Sequence, residues 1–173
     1  MDVQTFISQH HNAFVFLKEF VFARTRFTPP QSSEVEFADA VVLLGDVLVI
    51  FQIKERSTSD AGNEESERRW FGDKVLGKAT RQVRDTLSYL SSGSPILVAN
   101  ERGHTFDLAA NKYKEVIKVV MYAAGENLPA DCRRIHHYQS SVAGHIHVVD
   151  ARDYLAMTRT LRVPMDIVEY FHF

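Results

Sequence analysis

The sequence predicts a single α/β domain spanning residues 1–173, built on a central mixed β-sheet flanked by helices. Three observations carry that prediction. Residues 34–56 are dense in Val, Leu, Ile and Phe around a central Gly45-Asp46, the pattern of a β-hairpin. Residues 64–90 then carry an apolar stripe at helical spacing. Short β-type runs at 96–99, 116–123 and 146–149 follow, with a helical remainder, an order that suits helices packed on a sheet. With 173 residues, 45% apolar and 11% aromatic, the chain has material for a real core, which excludes a disordered tail, a collagen-like fibre and a small disulfide scaffold. Lys plus Arg number 20 against 22 Asp plus Glu, a net charge of -2, so any basic surface is local. Cys132 is the sole cysteine, no basic segment leads into an apolar one at the start, and the longest apolar run, 119–124, is too short for a bilayer. These features predict a cytoplasmic protein with no membrane partner.

Taken in order, residues 3–23 place Phe6, Ile7, Phe14, Leu17, Phe20 and Val21 at helix-compatible intervals, and Thr28-Pro29-Pro30 ends them. His10 falls on the stripe with Phe14 and Leu17, as a core-edge residue, and His11 faces solvent. After the polar connector 31–34 comes the hairpin. Residues 56–63 read as a loop, and 64–90 as a long helix with the stripe Val75, Leu76, Ala79, Val83, Thr86, Leu87 and Leu90, ended by Ser92-Gly93-Ser94-Pro95. A turn at Glu101-Arg102-Gly103-His104 precedes another strand near Phe106. Residues 151–161 and 165–173 read as helices, with Pro164 at a helix start. The final Tyr170, Phe171 and Phe173 are expected to pack on the domain or on a second copy in a homodimer, unless the natural chain continues.

Counting outward from Gly45-Asp46, Leu44 faces Val47, Val42 faces Val49 and Asp39 faces Gln52, with Lys54 two residues further on the same face. Val41, Leu43, Leu48 and Ile50 form one apolar face, and Val42, Leu44, Val49 and Phe51 the other. A hairpin apolar on both faces belongs inside a sheet covered on both sides. Into it the sequence inserts a carboxylate, an amide and an ammonium at one end. Burying them costs several kcal/mol unless they meet one another, water or a metal ion.

Asp39 followed by Gln52-Ile53-Lys54 on adjacent strands, after one helix and before a long one, resembles the PD-(D/E)XK nuclease superfamily with its restriction-endonuclease-like fold. Glutamine stands where the usual motif has Asp or Glu, a variant also seen in Mrr-type restriction enzymes. A finer resemblance is to uncharacterised bacterial nuclease-like proteins, through Glu19, Glu36-Phe37-Ala38-Asp39, Gly45-Asp46 and residues 145–170. The resemblance implies metal-dependent phosphodiester hydrolysis of nucleic acid, DNA in preference to RNA, with a further domain or partner supplying specificity. A catalytically inactive module of the same fold, for nucleic-acid binding or protein assembly, is the alternative that Gln52 motivates.

The chemistry agrees with the resemblance. A divalent cation would polarise the phosphoryl oxygen and make hydroxide available near neutral pH, and oxygen ligands suit Mg2+ or Mn2+. Asp39 offers a charged ligand, and the Gln52 side chain or the Ile53 carbonyl a neutral one. Lys54 would orient the attacking water or stabilise charge on the phosphorus-centred transition state. Glu19, Glu34 and Glu36 are the further carboxylates on hand. The superfamily implies Glu19, from the first helix, as a metal ligand beside Asp39 and Gln52. Glu36 has the opposite strand parity from Asp39 and points away unless the strand bends. On the long helix, Lys74, Lys78 and Arg81 form a basic strip suited to backbone phosphates. Gln82 borders it as an auxiliary catalytic residue, by the same resemblance. Arg81 and Asp85 are spaced to pair with each other instead.

His136-His137 and His145-x-His147 raise a zinc reading, with His145 and His147 on one strand face, but a single thiol and no helical His-x-x-x-His leave it the weaker one. No phosphate loop, dinucleotide turn, nucleophile elbow or metalloprotease helix occurs.

Overall fold

In the computed structural model, which describes residues 2–28, 33–57 and 62–172, the first helix is much shorter than the sequence pattern implies. Helix α1, Val3–His10, is capped by the Asp2 carboxylate, which accepts the Thr5 N–H. It runs into a π-helical turn, His11–Val15, and stops at Leu17, whose φ of 67° is left-handed. Strand β1, Val21–Phe27, takes over. The expectation of a helix over residues 3–23 is therefore corrected. Val21, Phe22, Thr25 and Phe27 are buried, and β-branched or aromatic residues at 21, 22, 25 and 27 suit a strand at least as well as a helix. Pro29 and Pro30, expected to end the helix, lie outside the described residues, as do residues 31–32, 58–61 and Phe173.

The hairpin forms as counted. Strands β2, Val35–Leu44, and β3, Val47–Glu55, pair antiparallel from Leu44↔Val47 to Ala40↔Phe51. Gly45, at φ 61°, supplies the left-handed turn. Between β3 and β6, Glu115–Ala123, the chain makes a long helical crossover, and these two strands are parallel. The crossover comprises α2, Glu64–Trp70, a π segment, Phe71–Ala79, and α3, Thr80–Ser91. A π turn aligns residues five apart, and a side-chain carbon on Gly77 would meet the Gly72 carbonyl at 3.2 Å. Strands β4, Leu97–Ala99, and β5, Thr105–Asp107, form a separate small sheet beyond it.

The main sheet has six strands in the order β1-β2-β3-β6-β8-β7, with β8 at Gly144–Asp150 parallel to β6 and β7 at His137–Ser140 antiparallel on the edge. The short α4, Ala130–Arg133, precedes β7, and α5, Ala151–Thr160, and α6, Pro164–His172, complete the chain. The sheet is mixed and flanked by helices, as predicted. Val42, Val49 and Phe51 face a core built with α1, α5 and α6. Val41, Leu43, Leu48 and Ile50 face the other side, where α3 and the small sheet pack. Phe171 is buried in the first of these cores, while Tyr170 is exposed. Among the described residues no helix is long and apolar enough to cross a membrane.

Candidate active site

Asp39, Gln52 and Lys54 converge on the sheet face beneath the long crossover helix. Where the regular ladder stops, at Ala40↔Phe51, the Asp39 Oδ2 accepts the Ile53 N–H at 2.6 Å. The Lys54 Nζ lies 3.8 Å from the same oxygen and donates to the Ile53 carbonyl at 3.0 Å. That carbonyl is thus engaged by lysine, although it remains a candidate neutral ligand by its chemistry. The Gln52 amide donates to the Phe37 carbonyl at 3.5 Å, which leaves its own oxygen as an acceptor. Asp39 and Gln52 are buried and Lys54 is nearly so.

Burial dominates the electrostatics of both charged groups. It raises the Asp39 carboxyl above its ordinary range, against the pull of Lys54 and the Ile53 N–H in the other direction. It lowers the Lys54 ammonium, which Asp39 counteracts and the charge of Lys78 reinforces. Burial thus disfavours the charged form of each group, a property common at functional sites.

A bulge in β2 shapes this end of the sheet. Thr25 pairs with Ala38 but Arg26 with Glu36, so Phe37 is the extra residue. Its backbone groups and those of Ala38 are not wasted. The Phe37 carbonyl accepts from Gln52 and from the Thr86 hydroxyl on α3, and the Thr25 hydroxyl exchanges hydrogen bonds with the Ala38 N–H and carbonyl. The bulge supplies the bend on which the orientation of Glu36 depends: the Glu36 carboxylate lies within electrostatic reach of Lys54 and opposes the lowering of its pKa. Glu36 is exposed.

Glu19 is not brought to this group. It lies in the turn before β1, at the hairpin-turn end of the sheet, where the neighbouring Phe20 carbonyl accepts the Leu43 N–H. Its Oε1 accepts from Arg102 at 2.9 Å, and Asn100 donates to its backbone carbonyl. Its carboxyl is lowered, first by a backbone hydrogen bond and then by Arg102. The premise that placed it on the first helix fails with that helix. Glu34 pairs with Arg26.

Lys74, Lys78 and Arg81 are exposed and have no ion-pair partner among the described residues, so the Arg81–Asp85 pair does not form. Lys78 is near enough to influence both Asp39 and Lys54. Gln82, on α3 above β2 and β3, has a buried side-chain oxygen with no hydrogen-bond partner. An acceptor left without a partner is costly when buried, and the Gln82 oxygen is available to a donor, as are the buried His11 Nδ1, Asn12 Oδ1 and Glu67 Oε2 elsewhere.

Sequence reasoning missed a buried pair next to this group. Glu67 on α2 accepts from the Arg56 Nε at 2.9 Å, just past Lys54, and the Arg56 guanidinium lies over the Trp70 ring. Burial alone would raise the Glu67 carboxyl, but the hydrogen bonds from Arg56 and Gly62 hold it below its ordinary range. Eleven residues separate the partners, and no periodicity marks them.

Among the described residues, no group of three or more His, Cys, Asp or Glu is gathered to hold a metal ion. The donor set at Asp39 nonetheless fits a hard cation that keeps much of its water. Mg2+ is commonly held by one or two carboxylates, and the Asp39 Oδ1 has no hydrogen-bond partner among the described residues. His137, His145 and His147 do share a face of β7 and β8, with ring centroids 5.2 Å apart for 137 and 145 and 4.6 Å for 145 and 147. No family model, curated protein or solved structure matches the chain.

Proposed function

We propose that the protein is a nuclease, a metal-dependent hydrolase of nucleic-acid phosphodiesters with DNA as the preferred substrate, working at Asp39, Gln52 and Lys54. The observation that carries the reading is the Asp39–Lys54 pair, 3.8 Å apart and desolvated, set into a sheet face under a helix whose Lys74, Lys78 and Arg81 are exposed and without ion-pair partners among the described residues. A buried ion pair is weak evidence of stabilisation, since replacing one with apolar residues is often neutral or favourable. Its retention here is better explained by chemistry.

Asp39 Oδ1 and the Gln52 oxygen would hold Mg2+ or Mn2+, with Glu36 as the nearest further carboxylate. When bound, the cation would polarise the phosphoryl oxygen and lower the pKa of its water. Lys54 places a cation where negative charge develops on the phosphorus-bound oxygens. Lys74, Lys78 and Arg81 bind backbone phosphates and set the strand over the site without reading bases. Gln82, with a buried and unused acceptor, orients a donor inside the site as an auxiliary residue.

The alternative is a binding or assembly module of the same fold. It is favoured by neutral Gln52 and by the distance of Glu19, both of which leave the cation with little charge. The two readings separate on incubating supercoiled plasmid and single-stranded DNA with the protein in Mn2+ or in EDTA. Nicking in Mn2+ alone, lost in Asp39→Ala, supports the nuclease. Salt-sensitive DNA binding without cleavage in either buffer supports the module. Neither binding nor cleavage leaves a purely structural domain.

A further inference from the structure

On the opposite face of the sheet from Asp39, α1 and α5 diverge to leave an open cavity of about 780 Å³. Phe6, Ala13 and Phe14 form its apolar wall, and Thr158 lines it from α5, joined across by the His10 Nε2 at 2.9 Å. Arg159 and Arg162 stand at its edge. Neither arginine has an ion-pair partner among the described residues, and no carboxylate lines the cavity. Two guanidiniums beside an apolar wall, with no acid to answer them, present charge for an anion.

The wall is displayed rather than buried. Phe6, His10 and Phe14 form a ladder with ring centroids 6.4 and 5.8 Å apart, and Phe14 is 77% exposed. The π turn that follows α1 sends His11, Val15 and Phe16 into the core and leaves Phe14 outside. Leu17 holds the end of this segment in a left-handed conformation that costs a non-glycine residue energy. π turns are frequent at functional sites. The volume lies within the range of small-molecule pockets, and the lining joins apolar surface to a few fixed polar groups.

We propose that this cavity binds an amphipathic carboxylate: an apolar chain lying against Phe6, Ala13 and Phe14, with its acidic head held by Arg159 and Arg162. The site does not depend on the Asp39 group, which lies across the sheet. Burial and then Arg159 lower the His10 pKa, which leaves the two arginines as the cations that face the cavity.

The test is calorimetric titration of the full chain with octanoate, decanoate and dodecanoate below their micellar concentrations. Affinity should rise about fourfold per added methylene, the factor that corresponds to about 0.8 kcal/mol of transfer free energy, until the cavity is filled. Arg159→Gln combined with Arg162→Gln should weaken dodecanoate binding at least tenfold, and Phe14→Ala should weaken it too. All three side chains are exposed, so the variants should melt with the wild type. Dodecyltrimethylammonium, with the same tail and the opposite head, should bind at least tenfold more weakly. Equal binding of the two amphiphiles, an unchanged affinity in the arginine variant, or no binding of any free carboxylate would overturn the proposal. Binding to anionic vesicles without binding of free dodecanoate would also overturn it and assign the patch to a lipid surface. Concentration-dependent dimerisation that buries Phe14 would assign it to a second copy.

Discussion

The two faces of strand β3 carry buried polar groups of opposite design. On one, Phe51 packs against His11, which is wholly buried, with its Nε2 2.7 Å from the Tyr154 hydroxyl and its ring among Phe16, Phe51 and Tyr154. Burial drives His11 down to about 3 and Tyr154 well above its ordinary value, so both are neutral at pH 7. On the other face, one residue along the strand, Gln52 lies with Asp39 and Lys54, where desolvation and the mutual attraction of the two ionisable groups act against each other. The neutral pair acts as core, an aromatic cluster with one hydrogen bond. The charged pair carries a desolvation cost that the Ile53 N–H, the Ile53 carbonyl and its own attraction offset in part.

The sharpest separation of the two faces is by stability. His11→Ala removes a fully buried ring and strands the Tyr154 hydroxyl, so it should cost about 3 to 5 kcal/mol in denaturant unfolding. DNA cleavage per folded molecule should not change. A cost below about 1 kcal/mol would show that the neutral cluster is not a core element.

Asp39→Ala should differ from it in function. The Mn2+-induced shift and cleavage should disappear, and because the variant strands the Ile53 N–H and leaves Lys54 without its anion, metal-free stability should also fall by about 1 to 3 kcal/mol. Lys54→Ala should abolish cleavage and lower metal-free stability by about 1 to 3 kcal/mol, because it leaves Asp39 without its cation. Thermal melts of both variants with and without Mn2+ read this directly. A wild type that shows no Mn2+ shift and no Mn2+-dependent cleavage would make the Asp39 face structural as well.

Acid should divide the faces next. A histidine whose folded pKa is lowered contributes stability that is complete above the unfolded value of 6.5 and lost as pH falls through the folded one. For His11 the loss runs from about 6.5 toward 3, and for His147, lowered by burial and then by His145, toward 4. Asp39 has the reverse sign: its raised pKa makes protonation favour the folded state, so its cost is relieved by acid. The melting temperature should therefore fall below pH 6.5. His11→Gln, uncharged at all pH values, should flatten that fall, and Asp39→Asn should steepen it.

Much of this contrast could be read from local sequence. The hairpin register and the division of its two apolar faces need only Gly45-Asp46 and a period of two, and both are found. The long helix and the helices after β8 follow from periodicity in the same way. The failures are places where the backbone changes its period. The π turn at His11–Val15 reverses the expected burial of His11, and the left-handed Leu17 converts the expected helical residues 21–23 into strand. Strand β7 escapes notice because three of its four residues are exposed. The bulge at Phe37 leaves no composition signal, since the groups that satisfy it, Thr25, Gln52 and Thr86, come from three different elements.

The smallest effects test which carboxylate belongs to the charged face. Glu36 reaches Lys54 electrostatically because β2 bulges, whereas Glu19 is held by Arg102 and Asn100 at the hairpin-turn end. Along β2 the two ends are separated by the stretch from Ala40 to Leu44, too far for one cation to touch both. Glu36→Gln should thus weaken Mn2+ binding severalfold by removing a nearby negative charge, with little effect on the metal-free melting temperature because the residue is exposed. Glu19→Gln should leave both Mn2+ affinity and cleavage within error of wild type, its only consequence being the loss of an exposed ion pair, an interaction of small value in solution. Calorimetric Mn2+ titration of both variants gives the comparison in one experiment. If Glu19→Gln weakens Mn2+ binding and Glu36→Gln does not, the cation sits at the turn end of the sheet, and the Asp39–Lys54 pair is not its site.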